Sequence, residues 1–524
     1  MLNSNLLQLL KPLSSPVGEL IIYVEPIKRR NILSNRSLVC ILILISLSIY
    51  TTGSIHFDYR LPFHADEWHN IKIAQEILKE KKLVEYNPFL PGNPYYVNFN
   101  EEAHGVANTN SAMWELNYNL FIALSSLFTG ISPLDTGLIL PTVLVFILSF
   151  NTFILVRYLT KNDLPALLSA IFVMTLKSEV FFLGPWFLVA LSFGMAFLPL
   201  IFYLFLKSGV SNRYIPVFLL VFAATTLAHP ASAVIFIPML ALYMIFNPAI
   251  IRRNKNKLLG SIFLLLVLLL VVVPFEGSVA GYIAKILKIL TFPRSIPMNR
   301  FEVVMQFPVY MGVIAFGLSI FGFFKAMMDN ETKILPLSVD ALLFIILAYI
   351  YLGYAFFAPY ERVVVYISEI LLILAGIGLY HVYRSIKIQK LAAALVIIIL
   401  VFQVNSIFTY KEDIPLVIEP GEYEPILWLK DNTPPDAVIL AMPRASAAIG
   451  VIADRNVVSL IRGRLGSSED SVNKSLDFFR GNTGTREKIL AELKPDYIYS
   501  KEEISMSSLK LVHGENKTFI YEVR

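Results

Sequence analysis

Charged residues and cysteine are both scarce in this chain of 524 residues. Only 16% of the residues are Asp, Glu, Lys or Arg, whereas a soluble domain carries about a quarter, so a purely soluble protein is excluded. The single cysteine, Cys40, excludes an intrachain disulfide and leaves the redox compartment undetermined. The N-terminus also lacks the form of a cleaved signal peptide. A basic cluster in residues 28–36 precedes a long apolar run, which favours an uncleaved signal anchor.

Apolar residues are abundant instead, at 56% of the chain. Many apolar runs exceed about 17 residues, enough to cross the roughly 30 Å of hydrocarbon in a bilayer. The pattern predicts an α-helical polytopic membrane protein with about 11 transmembrane helices. The predicted spans are approximately 37–56, 135–158, 163–178, 185–206, 213–229, 231–248, 258–274, 308–326, 337–357, 362–383 and 391–408.

Basic clusters in short loops predict the orientation of these spans. The tightest clusters occupy residues 28–36, 252–257 and 384–390. Because cytoplasmic loops carry the excess of Lys and Arg, the N-terminus is predicted inside and the C-terminal tail outside. Two long outer loops follow from this assignment, at 57–133 and 275–307.

One apolar stretch, "SAMWELNYNLFIALSSLFTG" at residues 111–130, is predicted as an interfacial helix with Trp114 and Tyr118 near the headgroups. A span here would place residues 252–257 outside. The chain then divides into a cytoplasmic segment (1–36), a transmembrane domain (37–408) and an extracytoplasmic soluble domain (409–524).

The tail differs from the rest of the chain in charge. From residue 409 it has 15 basic and 18 acidic residues, a net of −3, whereas 29 basic and 21 acidic residues precede it, a net of +8. "EYEPILWLKDNTPPDAVILAM" predicts a helix, a turn and a strand, and "LKLVHGENKTFIYEV" predicts a terminal hairpin. The tail has no nucleophile motif, Gly-rich phosphate loop or metal-ligand spacing, so it is predicted as an α/β domain for support or acceptor recognition.

The first outer loop contains an acidic pair in an unusual setting. In "RLPFHADEWHNIKIAQEILKEKKL", Asp66 and Glu67 are flanked by His64, Trp68 and His69, close to the predicted membrane face. A carboxylate partly removed from water has a raised proton affinity, which suits a general base. It also suits coordination of a divalent cation.

A structural interpretation of the same pair stays open. The apolar residues Ile71, Ala74 and Ile77 have helical spacing, so Asp66 alternatively caps the helix that follows.

The order of these features resembles the GT-C superfamily of membrane glycosyltransferases. The resemblance rests on the inside N-terminus, the Asp-Glu pair, the amphipathic "NIKIAQEILKEKKL" and the segment "SSLFTGISPLDTGLILPTVLVFILSFNTFILVRYLTKND" before the later spans. It is most similar to the protein O-mannosyltransferase and aminoarabinose transferase type. The resemblance implies transfer of a sugar from a polyprenyl-phosphate donor on the outer face, with inversion. It implies that Asp66 is the catalytic base and that Glu67 holds Asp66, the acceptor or a metal.

A phosphate leaving group requires cations, which neutralise its charge. Arg362 follows Glu361 at the outer end of the tenth span, where it binds the donor phosphate, pairs with Glu361 or reaches the headgroups. The second outer loop contributes further cations against the positive-inside trend, for the donor or for headgroups: Lys285, Lys288, Arg294 and Arg300.

The remaining candidates concern the acceptor and a metal. His64, His69, Glu102 and His104 are predicted to line the acceptor side, although loop solvation also explains Glu102 and His104. His229-Pro230 reads as an outer turn. A Mg²⁺ or Mn²⁺ ion, if bound, would use Asp66, Glu67 and His69. No Gly-rich nucleotide loop is present, which fits a lipid-linked donor, and no nucleic-acid partner is expected.

Other functions predict different features. An oligosaccharyltransferase needs a Trp-Trp-Asp-Tyr-Gly-type motif, whereas the tail has only Trp428. A transporter usually has ionisable residues in mid-membrane and internal repeats, which the predicted spans do not show. A non-catalytic scaffold that displays the tail predicts no effect of Asp66→Asn.

Overall fold

The computed structural model describes residues 35–84, 88–90, 116–178, 183–247, 300–352, 360–410, 414, 416–461 and 469–524. The chain divides into two units, residues 1–40 and residues 41–524, and the candidate site residues lie in the second. The described part is mostly helical, with one sheet near the C-terminus, which confirms the predicted fold class.

Apolar helices dominate the first four-fifths of the chain. A π-helical turn, Ile49–Gly53, joins the first two of them. In chain order the described helices are α1 (Asn35–Ser48), α2 (Ser54–Asp58), α3 (Ala65–Glu80), α4 (Leu116–Thr129), α5 (Pro133–Thr160), α6 (Asp163–Met174), α7 (Ala190–Val210), α8 (Tyr214–Ala228), α9 (Pro230–Phe246), α10 (Arg300–Met311), α11 (Val313–Met327), α12 (Ile334–Leu352), α13 (Tyr360–Ser385) and α14 (Gln389–Asn405).

Side-chain caps at the ends of α5 and α6 show why the helices begin and end where they do. Ser132 Oγ accepts a hydrogen bond from the Asp135 amide at the start of α5, 3.1 Å away. Asn162 Oδ1 accepts from the Leu164 amide at the start of α6, 3.0 Å away. Between them Lys161 takes a left-handed conformation, with φ 54°, and ends α5. The polar "TKND" therefore forms a tight reversal between two antiparallel apolar helices.

Several of these helices can cross a bilayer, so the chain is a multi-pass membrane protein. Within the described residues the sufficiently long and apolar stretches are Ser37–Asp58, Pro133–Thr160, Ala190–Val210, Ile334–Leu352 and Tyr360–Ser385. Shorter apolar helices of 10–17 residues accompany them. The predicted span 258–274 lies outside the described residues, and the number of spans stays a prediction.

Helix α4 is the stretch that the sequence predicts to lie at the membrane interface. It has 14 residues, or about 21 Å, less than the thickness of the hydrocarbon. The interfacial position of this stretch stays a prediction.

The predicted span 308–326 is wrong as a single helix. Helix α10 ends at Met311, Gly312 has φ 82°, and α11 begins at Val313. Gln403 of α14 stabilises the break, because its Nε2 donates to the Met311 carbonyl at 2.6 Å and to Thr175 Oγ1 at 3.0 Å. Since only glycine adopts this φ readily, the position of Gly312 is the local cause of the break.

Helix α13 is the most buried of the candidate spans, and it packs between α6 and α11. A Cβ on Gly322 of α11 would overlap the Leu374 carbonyl oxygen of α13. Small residues at such crossings let helix backbones approach closely. The close packing fixes α13, whose first turn carries Arg362.

The C-terminal region confirms the predicted alternation of helices and strands. Its elements are α15 (Tyr423–Asn432), β1 (Val438–Leu440), α16 (Pro443–Ile452), β2 (Asn456–Val457), α17 (Glu469–Arg480), α18 (Thr483–Leu493), β3 (Tyr497–Ser500), β4 (Leu509–Glu515) and β5 (Thr518–Val523).

These strands form a five-stranded sheet in the order β2-β1-β3-β5-β4. Strand β1 pairs parallel with β2 and β3, while β5 pairs antiparallel with β3 and β4. Asn516 and Lys517, with φ of 50° and 59°, form the hairpin turn. Leu440, Phe478 and Ile498 lie in a core between the sheet and helices α17 and α18.

Candidate active site

The start of α3 forms a capping box that involves only one of the two predicted acids. His64 is the N-cap, and its Nδ1 accepts a hydrogen bond from the Asp66 amide at 3.1 Å. The Glu67 carboxylate accepts from the His64 amide at 2.7 Å. The alternative that Asp66 caps this helix is therefore wrong, because His64 occupies the cap and Asp66 lies within the first turn.

Glu67 is buried, with 1% of its surface exposed, and its second oxygen accepts from the Leu188 amide at 2.7 Å. Burial raises the pKa of its carboxyl to about 7, against the opposing effect of the backbone amides. Each Glu67 oxygen thus accepts a hydrogen bond from a backbone amide. One amide belongs to the start of α3, and the other belongs to the segment that precedes α7. This arrangement positions the neighbouring residues and leaves Glu67 little capacity to contact a substrate.

Asp66 is the more accessible member of the pair. Its side chain is 15% exposed, and one carboxylate oxygen lies 3.5 Å from His64 Nδ1. Because that nitrogen accepts the Asp66 amide proton, His64 carries its own proton on Nε2 in this arrangement. The His64 ring lies beside Phe187, with ring centroids 5.8 Å apart. Asp66 is therefore a carboxylate at the edge of a partly apolar surface.

His69 follows Asp66 by one turn of α3, and its ring lies beside Phe89 with centroids 6.0 Å apart. Burial lowers the pKa of its imidazole to about 3, so His69 is neutral near neutral pH. A neutral imidazole can exchange hydrogen bonds with an acceptor group, but it adds no positive charge to the site.

Arg362 lies in the first turn of α13, above a buried chain of polar groups. His229 Nδ1 lies 2.6 Å from Ser232 Oγ, which is hydrogen-bonded in turn to the Tyr366 hydroxyl. Arg362 is within electrostatic range of both His229 and Tyr366. His229 therefore does more than form a turn before Pro230, since its imidazole belongs to a polar cluster beside the Arg362 guanidinium.

The first residues of α7 connect the two clusters. Leu188, just before α7, donates to Glu67, while Gly194 packs against Ser232 and Tyr366 so closely that a Cβ would overlap both hydroxyls. Six residues separate Leu188 from Gly194, on the order of 10 Å of chain. The α3 acids and the polar cluster beside Arg362 thus flank the start of the same helix.

Among the other predicted site residues, Arg300 is the first residue of α10. The remaining predicted residues lie outside the described residues, namely Glu102, His104, Lys285, Lys288 and Arg294. Their predicted roles stay predictions.

Three buried polar residues of the described chain were not among the predicted site residues. Ser232 and Tyr366 complete the chain from His229, and Lys177 is buried just beyond α6, where its amide donates to the Tyr310 carbonyl at 3.3 Å. A lysine at the end of an apolar run was the available signal for Lys177. Ser232 and Tyr366 are 134 residues apart, so no local pattern joins them.

The predicted metal ligands do not assemble into a site. No group of three or more His, Cys, Asp or Glu side chains within the described ranges could hold a metal ion. The two Glu67 oxygens already accept backbone amides, which leaves Asp66 and His69 as a two-residue donor set. These residues do not fit a Mg²⁺ or Mn²⁺ site without further ligands.

No family model matches the chain, and no curated protein matches its sequence. Solved structures do resemble it. ArnT from Cupriavidus metallidurans bound to undecaprenyl phosphate gives a TM-score of 0.58 at 8% identity, covering 92% of this chain and 97% of ArnT. The chain has the GT-C fold.

The oligosaccharyltransferases of Archaeoglobus fulgidus extend the likeness to a second kind of GT-C structure. AglB in complex with an inhibitory peptide and a dolichol-phosphate gives a TM-score of 0.54 at 11% identity, covering 88% of this chain and 69% of AglB. The complex of the enzyme with Zn and sulfate gives 0.55 at 12% identity, covering 88% and 67%. The resemblance to the GT-C superfamily is thereby confirmed at the level of the fold.

Proposed function

We propose that this chain is a glycosyltransferase that moves a sugar from a polyprenyl-phosphate donor to an acceptor on the outer face of the membrane. The observation that carries the proposal is the difference between the contacts of Asp66 and those of Glu67. The Glu67 carboxylate accepts hydrogen bonds from backbone amides, whereas the neighbouring Asp66 has a partly exposed carboxylate. The GT-C fold supports the same activity, since structures with this fold were solved with undecaprenyl phosphate and dolichol-phosphate.

In the proposed reaction Asp66 is the general base. Its carboxylate takes the proton from an acceptor hydroxyl as the hydroxyl oxygen bonds to the anomeric carbon of the sugar. The bond from that carbon to the donor phosphate breaks on the opposite side, so the anomeric configuration inverts. The electron pair leaves with the polyprenyl phosphate, and the proton on Asp66 later passes to solvent.

Cations around the leaving phosphate would stabilise its growing charge. Arg362 supplies a guanidinium beside the polar cluster of His229, Ser232 and Tyr366, and guanidinium groups bind phosphate through paired hydrogen bonds. Lys177, buried just beyond the end of α6, is a second candidate. We assign further donor contacts to Arg300, Arg294 and Lys288.

The acceptor side would comprise His64 and His69 with Glu102 and His104. A neutral His69 and a His64 that presents Nε2–H suit hydrogen bonding to a sugar, lipid or protein hydroxyl. This assignment requires the first loop and the 409–524 domain to be extracytoplasmic, with the 37–408 domain in the membrane. No step is routed through a divalent cation, because the described donors do not form a site for one.

Purified protein incubated with polyprenyl-phosphate sugars and a cell-envelope extract tests the proposal by mass spectrometry. We expect an acceptor to gain the mass of one hexose or pentose and polyprenyl phosphate to be released. Failure of every donor to give a mass gain would reject the glycosyltransferase. A solute- or proton-coupled uptake signal from reconstituted vesicles would instead favour a transporter.

A further inference from the structure

The second half of α3 makes a buried ionic contact with the C-terminal domain. Lys72 is 2% exposed, and its Nζ lies 3.0 Å from Glu76 of the same helix. It also forms a salt bridge with Asp454, which follows α16. Lys79 lies 3.8 Å from the other Asp454 oxygen. A buried lysine requires such partners, because its charge is costly away from water.

Asp454 is well suited to this contact. It has φ 54°, the left-handed conformation that Asp and Asn tolerate best after Gly. Burial opposes the charged form of its carboxyl, but the hydrogen bond and charge of Lys72, with Lys79, lower its pKa overall. The carboxylate is therefore charged at neutral pH, and the Lys72–Asp454 bridge is fully formed.

Further contacts with the same domain lie on both sides of this bridge along the chain. Before α3, the Tyr59 hydroxyl donates to the Ile418 carbonyl at 2.5 Å. After α3, the Phe89 carbonyl accepts from the Val457 amide of β2 at 2.9 Å. The Phe89 ring also covers Gly450, where a Cβ would overlap it. Segments before, within and after α3 are thus all held by the C-terminal domain.

We propose that the C-terminal domain positions the reacting carboxylate through this bridge, so that Lys72 and Asp454 are positioning residues for the transfer reaction. The inference rests on the proposed function of Asp66. Six residues of one helix, about 9 Å, separate Asp66 from Lys72, so a tilt at Lys72 moves Asp66. A displacement of about 1 Å at a reacting group can lower a rate by about 10²-fold.

The test compares Asp454→Asn with a matched control in the full-length protein. Asn keeps the left-handed backbone and removes only the charge. The control is Glu492→Gln, because Lys474 likewise bridges two acids, Asp470 at 2.7 Å and Glu492 at 3.0 Å, away from α3. The two replaced acids have similar exposures, 45% for Asp454 and 38% for Glu492.

We expect Asp454→Asn to lower kcat by about 10- to 100-fold with less than a twofold change in KM for the donor. Hydrogen–deuterium exchange of residues 65–80 should become faster. Glu492→Gln should change neither quantity. The double variant Lys72→Met/Asp454→Asn removes both charges of the bridge, so no buried lysine is left with Glu76 as its remaining partner, and its kcat should stay as low as that of Asp454→Asn.

The outcomes separate this inference from the proposed function. Unchanged kcat in Asp454→Asn, with or without faster exchange, overturns the positioning role while the glycosyltransferase stands. Recovery of kcat in the double variant also overturns it, because the loss would then come from a buried lysine that has lost one of its two acidic partners. If the wild-type protein transfers no sugar, the proposed function fails, and the exchange of residues 65–80 still decides whether Asp454 holds α3.

Discussion

The start and the middle of α3 are held by different parts of the molecule and in different ways. At its start, Glu67 accepts backbone amides from His64 and from Leu188, which precedes a membrane helix. At its middle, Lys72 pairs with Asp454 of the C-terminal domain. A hydrogen bond to backbone constrains both a distance and an angle, whereas an ion pair constrains mainly the separation of two charges. We infer that the contact with Leu188 sets the local geometry at the start of α3 and that the contact with Asp454 sets the direction of the helix.

The largest effect is expected at the start of α3, from Asp66→Asn. Asn keeps the shape of the side chain but cannot accept the acceptor proton, so sugar transfer should fall by about 10³-fold. Initial rates of transfer measure this, with thermal unfolding to show that folding is intact. Asp135→Asn is the control, since Asp135 is also an acid in a first helical turn. Equal rates for wild type and Asp66→Asn would contradict the assignment and favour a non-catalytic scaffold.

Glu67 should make the stability of the start of α3 depend on pH in a way that the contact of Lys72 does not. Because the folded-state pKa is about 7 against an ordinary 4.5, the folded protein binds the proton more tightly than the unfolded chain does. Its contribution to stability is present below pH about 4.5 and is lost as the pH rises through about 7, by about 3 kcal/mol.

The measurement is the difference in apparent melting temperature between wild type and Glu67→Gln at pH 5 and pH 8. The variant has no carboxyl to titrate there, so wild type should lose stability relative to it as the pH rises. A difference that is the same at both pH values would show that the Glu67 carboxyl does not titrate in this range.

Arg362→Gln tests whether the membrane domain also supplies the cation that faces Asp66. Loss of a charged hydrogen bond to phosphate should raise KM for the donor by about 30-fold and change KM for the acceptor less. Arg384→Gln, at the other end of α13, is the matched control. If both variants bind the donor equally well, Arg362 pairs with Glu361 or lipid and the phosphate lies elsewhere.

Much of the fold could be predicted from the sequence because its signals are local. Apolar runs marked α5, α7, α12 and α13, and the alternation of helix and strand marked the C-terminal sheet. The break between α10 and α11 could not be predicted, since it depends on Gln403 of a distant helix donating to Met311. A Gly inside an apolar run is compatible with both a continuous and a broken helix.

The candidate site was predicted less completely. The Asp66-Glu67 pair could be recognised in the sequence. The sequence is the same, however, whether an acid contacts substrate or backbone, and only the contact with Leu188 distinguishes the roles of the two acids. The Lys72–Asp454 bridge joins residues 382 positions apart. In "NIKIAQEILKEKKL" Lys72 looks like any solvated lysine of an amphipathic helix, because its burial arises from the packing of a domain encoded at the other end of the chain.

The smallest effect is expected from Gln75→Ala. This variant compares a neutral hydrogen bond between α3 and the C-terminal domain with the ionic contact of Lys72. Gln75 Nε2 donates to the Val451 carbonyl at 3.4 Å, which is long for a hydrogen bond. Its loss should cost less than about 0.5 kcal/mol and change kcat by less than twofold, since water can replace a partly exposed donor. Melting temperature and kcat, measured beside Asp454→Asn, check this. A tenfold fall in kcat would mean that the whole surface of contact, and not the Lys72–Asp454 bridge, sets the orientation of α3.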